Sequence, residues 1–228
     1  MQSYYWLILQ GSLLTVGVSL CALVVAVLLG LAGAAAKLSH RPVPRAIATA
    51  YTTIIRGIPE LVLMLLVFYG GTMGINNLLE WVGNDTTIDI EPFTAGVLTL
   101  GFIYGAYMTE TFRGAIMAIP KGQMEAAYAF GMGRRLTFIR ITLPQMVRYA
   151  LPGFTNNWLV LIKATALVSL IGLHEMTYLA KQASAATRSP FEFFLFTGAL
   201  FLVYSSLSLY ALNKINDRYS LGSQRGHL

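Results

Sequence analysis

Long apolar runs alternate with short polar stretches along this chain. Five runs stand out by their length and their near absence of charge: residues 12–36, 61–79, 93–118, 151–173 and 191–212. A helix of about 20 apolar residues crosses the hydrocarbon core of a bilayer, whereas strands of membrane barrels are shorter and alternate in polarity. The pattern therefore predicts an all-α membrane protein with five transmembrane helices, forming a single domain over residues 1–228.

The composition supports a membrane protein and narrows its chemistry. The chain is 56% hydrophobic and 11% charged, whereas a soluble domain carries about 25% charged residues. Its net charge of +6 is explained by Lys and Arg in cytoplasmic loops, so we expect the lipid bilayer, and no nucleic acid, as a partner. Cys21 is the single cysteine, and the three histidines form no cluster with other ligands. No metal site and no catalytic residue are predicted.

The loop charges predict how the chain is oriented. One side of the membrane would hold twelve basic residues: Lys37, Arg41, Arg45, Arg56, Lys121, Arg134, Arg135, Arg140, Arg148, Lys214, Arg218 and Arg225. The other side would hold Lys181 and Arg188 against Glu80, Asp85, Asp89, Glu91 and Glu175. Because basic loops stay in the cytoplasm, we expect the N-terminus outside, the C-terminus inside, and the segment 119–150 on the cytoplasmic side.

That cytoplasmic segment is predicted to form two helices separated by glycine. Good helix formers occupy residues 121–130, and Gly131 and Gly133 break the helix. A second short helix is expected over residues 134–142, ended by Pro144. From the residues alone, two interpretations stay open: an amphipathic hairpin on the inner leaflet, or a hairpin that inserts into a groove of another protein.

The segment also resembles a known signature. The order Glu125-Ala126-Ala127, three residues, Gly131, nine residues, Ile141, one residue, Leu143-Pro144 resembles the EAA signature of permeases of type I ABC importers. Three further strings resemble the polar amino-acid permeases, above all the Q-type subunits of histidine and lysine/arginine/ornithine importers: Arg56-Gly57-Ile58-Pro59, Glu110-Thr111-Phe112-Arg113 and Lys163-Ala164-Thr165-Ala166-Leu167-Val168-Ser169. The resemblance implies that Glu125, Ala126, Ala127, Gly131, Ile141, Leu143 and Pro144 couple the chain to an ATPase.

The same resemblance implies a set of partners in a bacterial inner membrane. These are two copies of a cytoplasmic ATPase subunit, a second permease subunit, a periplasmic substrate-binding protein and an amino-acid substrate, most of all a basic one. The second permease would be a distinct M-type chain or another copy of this one. The sequence contains no phosphate-binding Gly-x-x-x-x-Gly-Lys-Ser/Thr loop. We therefore expect no cofactor in this chain, with ATP and magnesium bound by the partner ATPase.

Rival functions remain beside this one. An importer for another polar amino acid or derivative fits the same family resemblance. An ion-driven secondary transporter would be expected to contain internal repeats, and the five unequal runs show none. A membrane enzyme or a scaffold with an amphipathic hairpin on the inner leaflet is an alternative from another class, and the missing catalytic cluster argues against the enzyme.

Ionisable and hydroxyl side chains in or at the start of the apolar runs are candidates for the pathway or its gate, because polar and charged groups in hydrocarbon are costly and usually face a bundle interior or cavity. The candidates are Glu60, Glu110, Arg113, Lys163, Thr165 and Ser169. Glu110 and Arg113 are three apart, so they can pair on one helix face or form a gate contact. Lys163 is expected either to pair with Glu110 or to contact a substrate carboxylate, and it does not share a helix face with Thr165.

Glu60 lies at the start of the second run, where many relatives would have leucine and the basic amino-acid subgroup has an acid. Two interpretations stay open for it. It is a solvated carboxylate at the inner interface, or its negative charge favours a cationic side chain that leaves the pathway.

Overall fold

The computed structural model describes residues 2–83 and 86–220, with side chains described as far as residue 217. Within these ranges the chain folds into eight helices: α1 (Gln2–Leu38), α2 (Pro42–Gly57), α3 (Glu60–Trp81), α4 (Pro92–Met117), α5 (Lys121–Ala129), α6 (Arg134–Ile171), α7 (Met176–Thr187) and α8 (Pro190–Ser220). Asp85, Arg225 and the side chain of Arg218, which contributed to the predicted orientation, lie outside the described part.

Each of the five predicted spans coincides with a helix, although the spans 93–118 and 151–173 run one and two residues past the ends of α4 and α6. In the described ranges, four helices are long and apolar enough to cross a membrane, namely α1, α3, α6 and α8. The fifth, α4, has 26 residues but is more polar, and fourteen of those residues are buried. Its polar side chains are therefore directed at other helices, and α4 forms the centre of the bundle.

Helix α4 packs closely and in parallel against α1. A Cβ atom added to Gly30 would lie 2.5 Å from the Cβ of Met108, and one added to Gly101 would lie 2.5 Å from Cγ1 of Val25. Small residues let helix backbones approach in membranes, where hydrophobic driving force between helices is absent. Because the partners advance together along both helices, α1 and α4 begin at the same end of the bundle.

Two helices lie where the sequence pattern indicated loops. Helix α2 follows α1 after three residues, has only 16 residues, and buries Ala48, Thr52 and Ile55. Helix α7 has 12 residues and lies in the region expected to be an outer loop. Both are shorter than a membrane-spanning helix, so a search for long apolar runs does not detect them.

The prediction that Pro144 ends a short helix is wrong. Helix α6 continues from Arg134 to Ile171 over 38 residues. Its turn Phe138–Thr142 is π-helical, and Pro144 lies in the first turn of the α-helical stretch that follows. Proline lacks an N–H and crowds the carbonyl of the preceding turn, and a wider π turn at that point changes the backbone partners. The last turns of α6 are 3₁₀-helical and end at Gly172, whose φ is 89°.

Glu175 is fully buried, although its place in a polar stretch indicated a solvated loop charge. Its carboxylate accepts a hydrogen bond from the N–H of Tyr178 at 2.9 Å and one from the hydroxyl of Thr15 at 3.0 Å. It therefore caps the start of α7 and ties that helix to α1. Burial raises the pKa of this carboxyl, although the hydrogen bonds that it accepts oppose the shift.

Candidate functional site

The segment between α4 and α6 has the predicted helix–glycine–helix form. Helix α5 ends at Ala129, and Gly131, two residues later, has a φ of 76°. The N–H of Gly131 donates to the carbonyl of Tyr128 at 2.9 Å, and the N–H of Met132 donates to the carbonyl of Ala127 at 3.0 Å. This pair of bonds is the Schellman motif, in which a left-handed residue ends the helix and satisfies its last carbonyls. Gly131 thus turns the chain sharply from α5 towards α6.

The first half of the predicted coupling signature forms an outward surface. Glu125 and Ala126 are exposed, whereas Ala127 is buried on the inner side of α5. At the tip, the ring of Phe130 is 88% exposed, which is unusual for a large apolar side chain. The outer face of α5 therefore offers a carboxylate, a small residue and an aromatic ring to the surroundings.

The second half of the signature lies behind that surface. Ile141 is half-buried, while Leu143 and Pro144 are exposed on α6. Leu143 lines a cavity of about 540 Å³ together with Met124 and Tyr128 of α5. The structure thus places Leu143 beside the inner face of α5, whose opposite face carries Glu125, so the two halves do not form one continuous surface.

Glu110 and Lys37 together join α4, α1 and α2 at the end of the bundle nearest α5. Its Oε2 atom accepts from Nε of Arg113 at 3.0 Å, and its Oε1 atom pairs with Nζ of Lys37. Lys37 also donates to the hydroxyl of Thr52 at 2.7 Å. The predicted pair between Glu110 and Arg113 is confirmed. The predicted pair between Glu110 and Lys163 is wrong, because Lys37 at the end of α1 occupies that carboxylate oxygen.

Lys163 is exposed on α6 and has no ion pair within the described residues. Its depth follows from two contacts between α6 and α4. A Cβ atom added to Gly153 would lie 2.8 Å from Thr111, and one added to Gly96 would lie 2.6 Å from Val168. The helices are therefore antiparallel, and Lys163 lies near the middle of α4 in depth.

Thr165 and Ser169 use their hydroxyl protons within their own helix. Thr165 donates to the carbonyl of Ile162 at 2.6 Å, and Ser169 donates to the carbonyl of Ala166 at 2.7 Å. Thr165 is also 1% exposed. Each hydroxyl therefore already donates its proton within α6, and only its oxygen lone pairs remain for another partner.

Glu60 lies beside the middle of the central helix α4. Its carboxylate accepts the hydroxyl of Tyr104 at 3.0 and 3.1 Å, and Tyr104 is the thirteenth of the 26 residues of α4 and almost fully buried. Helix α2 and the extended residues Ile58 and Pro59 bring the chain to half-depth before α3 begins. The sequence did not indicate Tyr104, because it lies 44 residues from Glu60 within an apolar run.

The sequence of this chain is similar to those of known transport proteins. Residues 9–219 match the family described as binding-protein-dependent transport system inner membrane component. The chain belongs to this family. It is 52% identical over 221 residues to the histidine/lysine/arginine/ornithine transport system permease protein HisQ of Salmonella typhimurium, covering 97% of this chain and 96% of that protein. It is 39% identical over 218 residues to the octopine transport system permease protein OccQ of Rhizobium radiobacter, covering 96% and 92%.

A solved structure confirms the fold class. The crystal structure of an amino acid ABC transporter with histidines contains a chain that superposes with a TM-score of 0.80 at 31% identity, covering 96% of each chain. The chain studied here is thus a multi-pass membrane protein with the fold of ABC permeases. Its relatives are permease subunits and not ATPases.

Proposed function

We propose that this chain is a permease subunit that forms part of a pathway for basic amino acids across the bacterial inner membrane. The observation that carries the proposal is the carboxylate of Glu60, held by Tyr104 halfway along the central helix. Ionisable groups at this depth are costly and mark substrate pathways. A carboxylate there attracts a cationic side chain, in keeping with the histidine/lysine/arginine/ornithine system to which the 52% identical relative belongs.

The energy for transport comes from a partner subunit that hydrolyses ATP. The chain contains no phosphate-binding loop, so two copies of an ATPase subunit bind ATP and magnesium in our proposal. They dock on the outer face of α5 through Glu125, Ala126 and the exposed ring of Phe130. Gly131 sets the direction of that helix, and Ala127, Ile141, Leu143 and Pro144 support it from the α6 side. Closure of the ATPases then moves the permease as a gate.

The docking surface lies at the end of the bundle that carries most of the basic loop residues. This supports an orientation with α5 and the C-terminus in the cytoplasm and the N-terminus in the periplasm. A periplasmic binding protein delivers the amino acid at the opposite end, where Glu175 joins α7 to α1.

The exposed Lys163 supports a second permease subunit, either a distinct M-type chain or another copy. A lysine at the centre of a membrane helix costs about 2.5–3.5 kcal/mol on insertion scales. Lys163 has no acidic partner in the described part of this chain. We infer that it faces the second subunit or the water-filled pathway between the subunits, and does not face acyl chains.

The role of Glu60 is tested in proteoliposomes that contain the whole transporter and its binding protein. Arginine is cationic throughout, whereas histidine loses its charge above an ordinary pKa of about 6.5. We expect Glu60→Gln to lower arginine uptake about tenfold, the equivalent of about 1.4 kcal/mol, and to lower histidine uptake much less at high pH than at low pH.

Glu80→Gln is the matched control, since Glu80 is exposed near the far end of the same helix α3. Equal losses for arginine and for uncharged histidine would contradict selection by charge. Unchanged arginine uptake by Glu60→Gln would also contradict it, and would favour the second candidate, a pathway for another polar amino acid or derivative such as the relative named for octopine suggests.

A further inference from the structure

A second polar feature lies beside Glu60. A cavity of about 430 Å³ opens between α1, α2 and α4, and its lining is mostly polar: Lys37, Thr52, Thr53, Arg56, Gly57, Tyr107 and Glu110. Its single carboxylate, Glu110, is already paired with Lys37 and with Arg113. The cavity therefore has a surplus of positive charge, and Arg56 is the lining cation that contributes it.

Arg56 has the geometry of an unused anion-binding group. Its guanidinium carbon lies 5.3 Å from the centre of the Tyr107 ring, so the aromatic face holds the group in place. Among the described residues it has no ion pair, and its side chain is exposed to the cavity. A guanidinium offers two parallel N–H groups that match a carboxylate. The guanidinium of Arg56 therefore offers two parallel N–H donors that no carboxylate among the described residues accepts.

The depth of Arg56 limits what that acceptor is. Tyr107 precedes the last residue of α4, Met117, by ten positions, which is about 15 Å of helix at 1.5 Å per residue. The whole of α4 spans about 39 Å, and the hydrocarbon core is about 30 Å thick. Tyr107, and with it Arg56, therefore lies part-way along α4 and not at its end. An anion that reaches Arg56 enters the cavity between α1, α2 and α4.

Arg56 and Glu60 also lie side by side along the central helix. They flank the corner formed by residues 57–59, and the two tyrosines that they contact, Tyr104 and Tyr107, have ring centres 5.8 Å apart. A site for an anion is therefore adjacent to a site for a cation. An α-amino acid with a basic side chain carries both charges at its two ends.

We propose that Arg56 binds the α-carboxylate of an amino acid in the pathway while Glu60 attracts its cationic side chain. This inference rests on the proposed function, because it takes an amino acid as the cargo. It adds that the permease itself recognises the zwitterionic end of the substrate, by two residues four positions apart.

The test measures equilibrium binding to the complete transporter in nanodiscs, without the binding protein. The ligands are arginine and agmatine, which is arginine without its carboxylate. We expect the wild type to prefer arginine by about tenfold or more, as for one charge-assisted contact. Arg56→Met should abolish this preference and leave agmatine affinity unchanged. Arg56→Lys should keep part of it, because lysine retains the charge but not the paired donors.

Arg45→Met is the control, because Arg45 is an exposed arginine near the start of α2 and should leave the preference intact. A preference that survives Arg56→Met overturns the proposal. So does a wild type that binds neither ligand at millimolar concentration or shows no preference. Loss of the preference in Lys163→Met but not in Arg56→Met would assign the carboxylate to Lys163.

Two further arms separate the remaining outcomes. Glu60→Gln should weaken the binding of arginine and of agmatine about equally and leave the preference for arginine unchanged. If Glu60→Gln weakens the binding of neither ligand while Arg56→Met acts as expected, the role of Glu60 is contradicted and that of Arg56 is supported. Native mass spectrometry should show phosphatidylglycerol retained equally by wild type and Arg56→Met. If Arg56→Met loses that lipid and keeps the arginine preference, the occupant is a lipid phosphate and the proposal is wrong.

Discussion

Gly131→Ala should weaken the attachment of the ATPase through the backbone alone. Gly131 has a φ of 76°, and a Cβ atom added to it would meet nothing within 4 Å, so the new methyl group clashes with no neighbour. The left-handed conformation costs a residue with a Cβ about 1–2 kcal/mol, and asparagine less. If alanine raises the free energy of the docking conformation of α5 by this amount, the affinity of the permease for the ATPase falls about 5–30-fold.

The assay titrates labelled ATPase subunit against the permease pair in nanodiscs, and the expected order of affinity is glycine, asparagine, alanine. Gly133→Ala is the control, since Gly133 has an ordinary φ of −68° and an equally open site. Equal affinities of Gly131→Ala and Gly133→Ala would refute the reasoning. If Gly131→Asp lost affinity and Gly131→Ala did not, charge at the docking surface would be the cause, because aspartate tolerates the left-handed region.

Two further predictions concern stability. Gly101→Ala should destabilise the protein by about 1–3 kcal/mol, because its Cβ would lie 2.5 Å from Val25, whereas Gly114→Ala in the same helix meets nothing within 4 Å; equal melting temperatures in detergent would contradict the close α1–α4 contact. For Glu175 the folded pKa is raised above its ordinary 4.5, so its stabilising contribution is complete below 4.5 and is lost as pH rises through the raised value. The melting temperature of wild type relative to Glu175→Gln should therefore fall as pH rises above 4.5 towards the raised pKa, and a constant difference would contradict this.

The sequence predicted what depends on long local patterns. All five apolar runs coincide with helices to within two residues, and the i,i+3 pair of Glu110 and Arg113 forms as expected on one helix face. The break at Gly131 was also visible, because a glycine after good helix formers is a local signal. Helices α2 and α7 were missed because each is short, and their stability comes from packing against longer helices.

The depth of Glu60 in the bundle and the distant partners of Glu60 and Glu110 could not be predicted from local patterns. The second partner of Glu110 is Lys37, 73 residues away, at the end of an apolar run where it looked like an ordinary loop cation. Glu60 begins an apolar run, which indicated the membrane edge. The start of a helix is not always the edge of the membrane, and here α2 first carries the chain inward. Only the packed structure shows that Glu60 meets Tyr104.

Helix α6 also determines the direction in which Lys163 points, measured around the helix axis from the docking end. It connects the docking end at Arg134 to Lys163 and beyond without a break, and successive residues rotate by about 100° around its axis. The π turn Phe138–Thr142 accommodates an additional residue within one turn. Because the π turn already absorbs that residue, deleting one residue there would restore an α turn and leave the direction of Lys163 nearly unchanged. A deletion in the regular α-helix between this turn and Lys163 would instead rotate Lys163 by about 100° and shift it by about 1.5 Å relative to the docking end. The π turn is therefore a place in α6 where a change of one residue in chain length need not turn Lys163 away from the surface that it faces.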